Sequence, residues 1–276
     1  MSEVNVFELF SLPLTKALQE KGFVSPTDPQ MKLSPLVMSG RNALLMSPTG
    51  TGKTEAAFLP ILDNIIRNGL ARTNGIKLLY ITPLRALNRD MLERMKWWCK
   101  RFDVRLGVRH GDTTAAERSS QSMVPPDILI TTPETLQAML TGRRIRDALK
   151  SLRWVVVDEV HELAEDKRGS QLSIAMERLK RTAGRPFQII GLSATVGSPE
   201  TIAKCGMPAF RRSEITRRTS GRTAARSSIA PPIRPSTATR TIVWPSRCAS
   251  SSAARTDSGS SIPSDSMNRL LPTRTA

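Results

Sequence analysis

The segment Ser47-Pro48-Thr49-Gly50-Thr51-Gly52-Lys53-Thr54 carries residue types that can hold phosphates. Small residues let consecutive backbone N–H groups point inward at a polyphosphate, and a helix starting at the end of the loop adds its dipole. In that geometry Lys53 reaches the β- and γ-phosphates, and Thr54 holds Mg²⁺ through its hydroxyl. ATP with Mg²⁺ is therefore the expected ligand, lined by Pro48, Thr49, Gly50, Thr51 and Gly52. Ser47 stands where the strict pattern has glycine, a departure that exchanges one small residue for another. The competing reading is a glycine-rich turn between a strand and a helix.

Two further segments bear on the same chemistry. Asp158-Glu159-Val160-His161 directly follows the apolar run Trp154–Val157. An acidic pair at the end of a buried strand is costly to hold there without a task. Asp158 suits a metal shell, and Glu159 suits activation of an attacking water, with Lys53 stabilising the transferred charge. The alternative is a solvated acidic pair capping the next helix. Ser193-Ala194-Thr195 follows another apolar run; by itself it reads as a polar strand end or a helix cap, and its value comes from its order and distance behind the other two.

These segments need a scaffold, and the hydrophobic pattern provides one. Short apolar runs at 42–46, 77–81, 127–130, 154–157 and 188–192 predict buried strands. Between them, Thr54–Asn68, Ala86–Lys100 and Gln171–Arg181 have the three-to-four spacing of amphipathic helices. Alternation of this kind predicts an α/β fold with a parallel sheet flanked by helices. Ligands bind beyond the carboxyl ends of strands in such sheets, which is where the three segments fall.

With its order and context, the set resembles motifs I, II and III of superfamily 2 DExH/DEAD-box helicases. Gly22-Phe23 followed by Pro26-Thr27-Asp28-Pro29-Gln30 resembles the Q motif, Thr82–Leu87 resembles motif Ia, and Thr131–Leu136 resembles motif Ib. Within the superfamily, His110–Thr114 and Asp158–Leu179 look like the Lhr (large helicase-related) group, with His110 where threonine is expected. The resemblance covers about residues 7–204.

It implies a single RecA-like P-loop domain with Gln30 at the adenine edge. It also implies contacts to the backbone of single-stranded or duplex DNA or RNA from Thr82, Pro83, Arg85, Thr132, Pro133 and Glu134. His161, Ser193 and Thr195 take a coupling role only through the resemblance. The family machine uses two such domains, and no motif IV, V or VI follows Thr195. The implied function is the ATP-binding domain of a helicase, weak in hydrolysis and unable to unwind alone. A non-enzymatic nucleotide- or nucleic-acid-binding module, or a pseudogene-like fragment, is the alternative. The Q-like, Ia and Ib segments argue against a kinase or small-molecule ATPase using the same loop.

Composition divides the chain near Lys204, the last lysine. From Cys205 to Ala276 there are 12 arginines and three acids, so +9 of the chain's +17 sits in this segment. Its large apolar residues are sparse, and a disordered tail over 205–276 beside a domain over 1–204 is the expectation. The abrupt loss of lysine and of family likeness suits a shifted reading frame of a GC-rich gene; a genuine basic tail is the other reading.

Other features exclude more than they assign. Cys99, Cys205 and Cys248 have neither metal-ligand spacing nor a disulfide-framework pattern, so a reduced cytoplasmic setting is expected. No signal peptide is expected from MSEVNVFELF, and no apolar run nears the roughly 20 residues that span a bilayer. Trp97 and Trp98 read as packing residues, and Arg143, Arg144 and Arg146 as a solvated face.

Overall fold

A computed structural model describes residues 5–83, 89–164, 167–194 and 239–244. After a 3-10 turn at Val6–Leu9, the chain enters α1 (Leu12–Glu20) and α2 (Asp28–Met38). β1 (Asn42–Met46) leads through the phosphate-loop segment into α3 (Lys53–Arg67) and then β2 (Leu78–Ile81). There follow α4 (Arg89–Arg101), β3 (Leu106–Arg109), α5 (Ala115–Met123) and β4 (Ile128–Thr131). The remainder is α6 (Pro133–Met139), α7 (Arg143–Leu149), β5 (Trp154–Val157), α8 (Val160–Ala164), α9 (Lys167–Ala183), β6 (Gln188–Ser193) and β7 (Arg240–Trp244).

The strands lie in the order β3-β4-β2-β5-β6-β1-β7. The first six run parallel, and β7 pairs antiparallel with β1. Strand alternation shares the buried residues between two cores. Ala43, Leu45, Leu78, Tyr80, Ile128, Ile130, Val156, Ile190 and Leu192 face the layer of α1 to α4. Leu44, Met46, Leu79, Ile81, Leu129, Val155, Val157 and Ile189 face α6, α7 and α9. A sheet covered on both faces explains why its strands read as continuous apolar runs.

That strand order also places the chemistry. β5, β6 and β1 are neighbours, so the loops that follow them are neighbours too. β2 and β4, which precede the Ia-like and Ib-like segments, pair with each other on the far side of β5.

The structure departs from the sequence reading at two strands. β3 was not among the expected strands: its residues are half-buried, and Gly107 interrupts its apolar pattern. The glycine is required there, because a β-carbon would lie 2.7 Å from Pro126 Cγ. β7, a five-residue stretch of the tail outside the expected strands, adds one antiparallel edge strand to the parallel sheet. Arg240-Thr241-Ile242-Val243-Trp244 is rich in β-branched and aromatic residues, and the open edge of β1 gives such a segment backbone partners it cannot find alone. Otherwise the tail, and with it the frame-shift reading, lies outside the described residues.

Candidate active site at the carboxyl ends of the strands

The phosphate-loop segment leaves β1 with Ser47 N–H donating to Ser193 O at 3.1 Å, which carries the β1–β6 pairing one residue further. Gly50 and Gly52 both take left-handed backbone, with φ of 80° and 83°, and α3 begins at Lys53. The loop is braced internally. Thr51 Oγ1 donates to Pro48 O at 2.8 Å and lies 2.9 Å from Ser47 Oγ. Thr49 and Gly50 at its crest are exposed.

Lys53 is buried and folds back under the loop, where Nζ donates to Ser47 O at 2.8 Å and Pro48 O at 3.0 Å. Burial pulls its pKa below the ordinary lysine value, opposed by the charges of Glu159 and Asp158. The two acidic groups therefore face the same ammonium across the strand ends.

Asp158 closes β5, and its N–H donates to Ile81 O at 2.8 Å, tying it to β2. Its carboxylate is satisfied on both oxygens: Tyr80 OH donates to Oδ2 at 2.5 Å and Glu159 N–H donates to Oδ1 at 2.9 Å. Burial raises the Asp158 pKa in spite of these bonds and of Lys53. Glu159 has a left-handed backbone, φ 47°, unusual for a side chain this size. Its pKa is also raised, first by burial and then by Asp158. A carboxylate lifted towards neutrality is a better proton acceptor than an exposed one.

His161 bridges the acidic segment to the end of β6. Its Nδ1 lies 3.2 Å from Glu159 Oε2 and 3.4 Å from Ser193 Oγ, and accepts from Ala194 N–H at 3.4 Å. Which of these it serves depends on its tautomer.

Gln30 sits in the first turn of α2, where Oε1 accepts from Thr27 N–H at 3.0 Å. It is buried against the phosphate loop. Thr82, Pro83, Thr132 and Pro133 are all buried, and Thr132 Oγ1 caps α6 by accepting from Thr135 N–H at 3.3 Å. Among these nucleic-acid candidates Glu134 is exposed. Arg85 and Thr195 lie outside the described residues. Trp98 is buried in the core, as its packing reading predicts.

Two site residues escape sequence reasoning. Tyr80 is fully buried, with its pKa driven well up by burial and by Asp158. The available signal was its alternate position on a central strand, on the face that meets α3. The other is Thr239, whose Oγ1 stands 3.0 Å from Ser47 Oγ. Nothing in the tail's composition points to that contact.

Comparison with known proteins agrees with this geometry. The DEAD/DEAH box helicase family matches residues 27–202. An ATP-dependent helicase Lhr-Core from Sulfolobus acidocaldarius is 41% identical over 211 residues, covering 72% of this chain and 24% of the relative. A Lhr helicase/probable uracil glycosylase from Mycolicibacterium smegmatis is 38% identical over 203 residues, covering 69% of this chain and 13% of the relative. The chain thus spans a quarter or less of the length of these curated relatives. The structure of Mycobacterium smegmatis helicase Lhr bound to ssDNA and AMP-PNP superimposes with a TM-score of 0.63 at 39% identity, over 71% of this chain and 26% of that one. With the phosphate loop, the acidic segment and the serine-ended strand set side by side on a RecA-like sheet, the chain belongs to the DEAD/DEAH box helicases, in their Lhr-like group.

Proposed function

We propose that residues 1 to about 204 form the ATP-binding domain of an ATP-dependent nucleic-acid motor, which binds ATP with Mg²⁺ and the backbone of a DNA or RNA strand. The observation that carries this reading is the convergence of Lys53, Asp158 and Glu159 from adjacent strand ends. The residues present fit a magnesium nucleotide. The loop crest is open, and a β-carbon on Gly50 would meet nothing within 4 Å, so phosphates can approach the backbone closely. Among the described residues no three His, Cys, Asp or Glu side chains gather to hold a metal unaided. Mg²⁺ shared with phosphates needs only one or two protein ligands, and Thr54 with Asp158 provides them. The bound ion supplies neutralisation of the phosphate charge.

The chain's own groups do the rest. Amides of residues 49–54 cradle the phosphates, and the Lys53 ammonium turns from the two loop carbonyls to the anionic end of the nucleotide. Glu159 accepts the proton of the attacking water. Gln30, held against the loop, reads the adenine edge. His161 joins Glu159 to Ser193 and, in this reading, to Thr195, so a change at the nucleotide is felt at β6. Contacts to nucleic acid come from backbone groups after β2 and β4 with Arg85 and Glu134, since the threonine side chains there face inward. The relative seen with ssDNA and AMP-PNP supports both ligands. Full hydrolysis draws on arginines of a second RecA-like domain. A cytoplasmic setting belongs to this proposal; no helix among the described residues is long and apolar enough to cross a membrane.

Calorimetry with ADP and ATP on the chain and on Lys53→Ala tests it. Micromolar to millimolar affinity, as an order of magnitude, is expected for the wild type and most of it lost in the variant. Equal affinities overturn the assignment. ATP turnover with and without single-stranded DNA and RNA separates a motor domain from a module that binds without hydrolysing.

A further inference from the structure

The chain's only tyrosine stands against one of the two side chains that the proposed function gives to Mg²⁺. Tyr80 lies on β2, flanked by β4 and β5, with no exposed surface. Its hydroxyl donates to Asp158 Oδ2 at 2.5 Å. Tyr80 belongs to β2 and Asp158 to the end of β5, 78 residues on, so no sequence-local contact relates them.

The proton inventory sets the direction of this bond. A phenol has one proton, and a carboxylate can only accept. Tyr80 therefore gives its proton to Asp158, which fixes the rotation of the carboxylate and the direction in which its remaining lone pairs are offered to a cation. The carboxylate of Asp158 is held from both sides, by Tyr80 on Oδ2 and by Glu159 N–H on Oδ1. Groups that orient a metal's ligands are part of the site even without touching the ion.

We infer that Tyr80 is a positioning residue for the metal-dependent part of nucleotide binding, acting through Asp158. This rests on the nucleotide site proposed above. A tyrosine that merely satisfies its hydroxyl in the core would support folding and leave the metal dependence unchanged.

The test is ADP binding by the full chain in EDTA and across a Mg²⁺ titration, for wild type, Lys53→Ala and Tyr80→Phe. Phenylalanine keeps the ring in the core and deletes the bond to Asp158. The affinity gained on adding Mg²⁺ should fall about tenfold or more in Tyr80→Phe, while affinity in EDTA stays as in wild type. A Tyr80→Phe protein with the full Mg²⁺ gain overturns the inference alone. A wild type without Lys53-dependent binding overturns the site and the inference together. A second readout needs no substitution. Labelling with 3-fluorotyrosine places a single ¹⁹F signal in the chain, which should shift with Mg²⁺ and ADP beyond its position with ADP in EDTA. A signal unmoved by Mg²⁺ overturns the inference even if Tyr80→Phe fails to fold.

Discussion

The side-chain amide of Gln30 fills the space over Gly52, with Nε2 2.9 Å from where a β-carbon on that glycine would stand. Thr27 Oγ1 lies 3.4 Å from the same point. The start of α2 and the phosphate loop are thus packed as one unit, and the Q-like segment is joined to the loop by contact. Gly52 has a second reason to be glycine, its φ of 83°.

Gly52→Ala should therefore meet both backbone strain and the Gln30 amide. A loss of about 1–2 kcal/mol in chemical denaturation is expected, with nucleotide affinity reduced more than tenfold. Adding Gln30→Ala should restore part of the stability by removing the clash and none of the φ strain. Strict additivity of the two substitutions would show that they do not touch. Gln30→Ala alone should lower the preference for ATP over GTP and lose the cap on Thr27 N–H.

Glu159→Gln keeps the shape of the proposed base and deletes its proton affinity. Basal hydrolysis by the chain should fall by about 10²-fold or more. Nucleotide affinity should hold or rise, because the substitution removes a negative charge beside Asp158 and the phosphates. Single-turnover hydrolysis and calorimetry on the same preparations check both. Unchanged turnover would remove Glu159 from the mechanism.

Asp127 anchors the opposite end of the sheet, fully buried. It accepts from Arg105 N–H at 2.9 Å, Arg72 N–H at 3.1 Å, Arg105 Nε at 3.2 Å and Lys77 Nζ at 3.2 Å. Burial alone would lift its pKa, but these donors together hold it below the ordinary carboxylate value. Burial also draws the Lys77 ammonium down despite Asp127, so this ion pair is bound to be costly if one partner is lost. A carboxyl depressed in the folded state stabilises the fold above its unfolded pKa, near 4, and that stabilisation disappears as pH falls through the folded value. Asp127→Asn should cost about 3 kcal/mol at neutral pH, and the gap to wild type should narrow below about pH 4. Urea titrations at neutral and acid pH measure it, and a gap independent of pH would contradict the assignment.

Much of the domain is legible because its sheet is buried on both faces. The runs around Leu44, Tyr80, Ile130, Val156 and Ile190 read as strands without any knowledge of pairing. Lys53, Asp158 and Ser193 stand out because each follows such a run. β3 is less legible, since an edge strand with half-buried residues and Gly107 has no continuous apolar pattern. Tyr80 is invisible as a site residue because its hydroxyl partner, Asp158, comes from another element. Thr82 and Thr132 read well as motif members, yet their inward side chains could not be foreseen: period-two alternation is lost where the strand ends and the helix cap begins.

The tail strand calls for the last prediction. β7 pairs with the whole of β1, from Asn42 opposite Trp244 to Met46 opposite Arg240. Just before it, Thr239 O accepts from Lys32 Nζ at 3.3 Å, and Thr239 Oγ1 lies 3.0 Å from Ser47 Oγ. The expectation that the tail adds nothing to the phosphate loop fails at this residue. Ending the chain at residue 204 should uncover the β1 edge and remove one brace of the loop. Stability should fall by about 2 kcal/mol, a drop in Tm of roughly 4–8 °C for a domain of this size. Exposed strand edges also pair between molecules, so light scattering on warming should rise in the shortened chain. Thr239→Val separates the two contributions. It keeps the β-branched backbone preference of the strand and deletes the hydroxyl, so Tm should stay near wild type while nucleotide affinity changes within about threefold. If the shortened chain melts and binds nucleotide as the full chain does, β7 is dispensable to the fold, and the edge of β1 is stable without a partner.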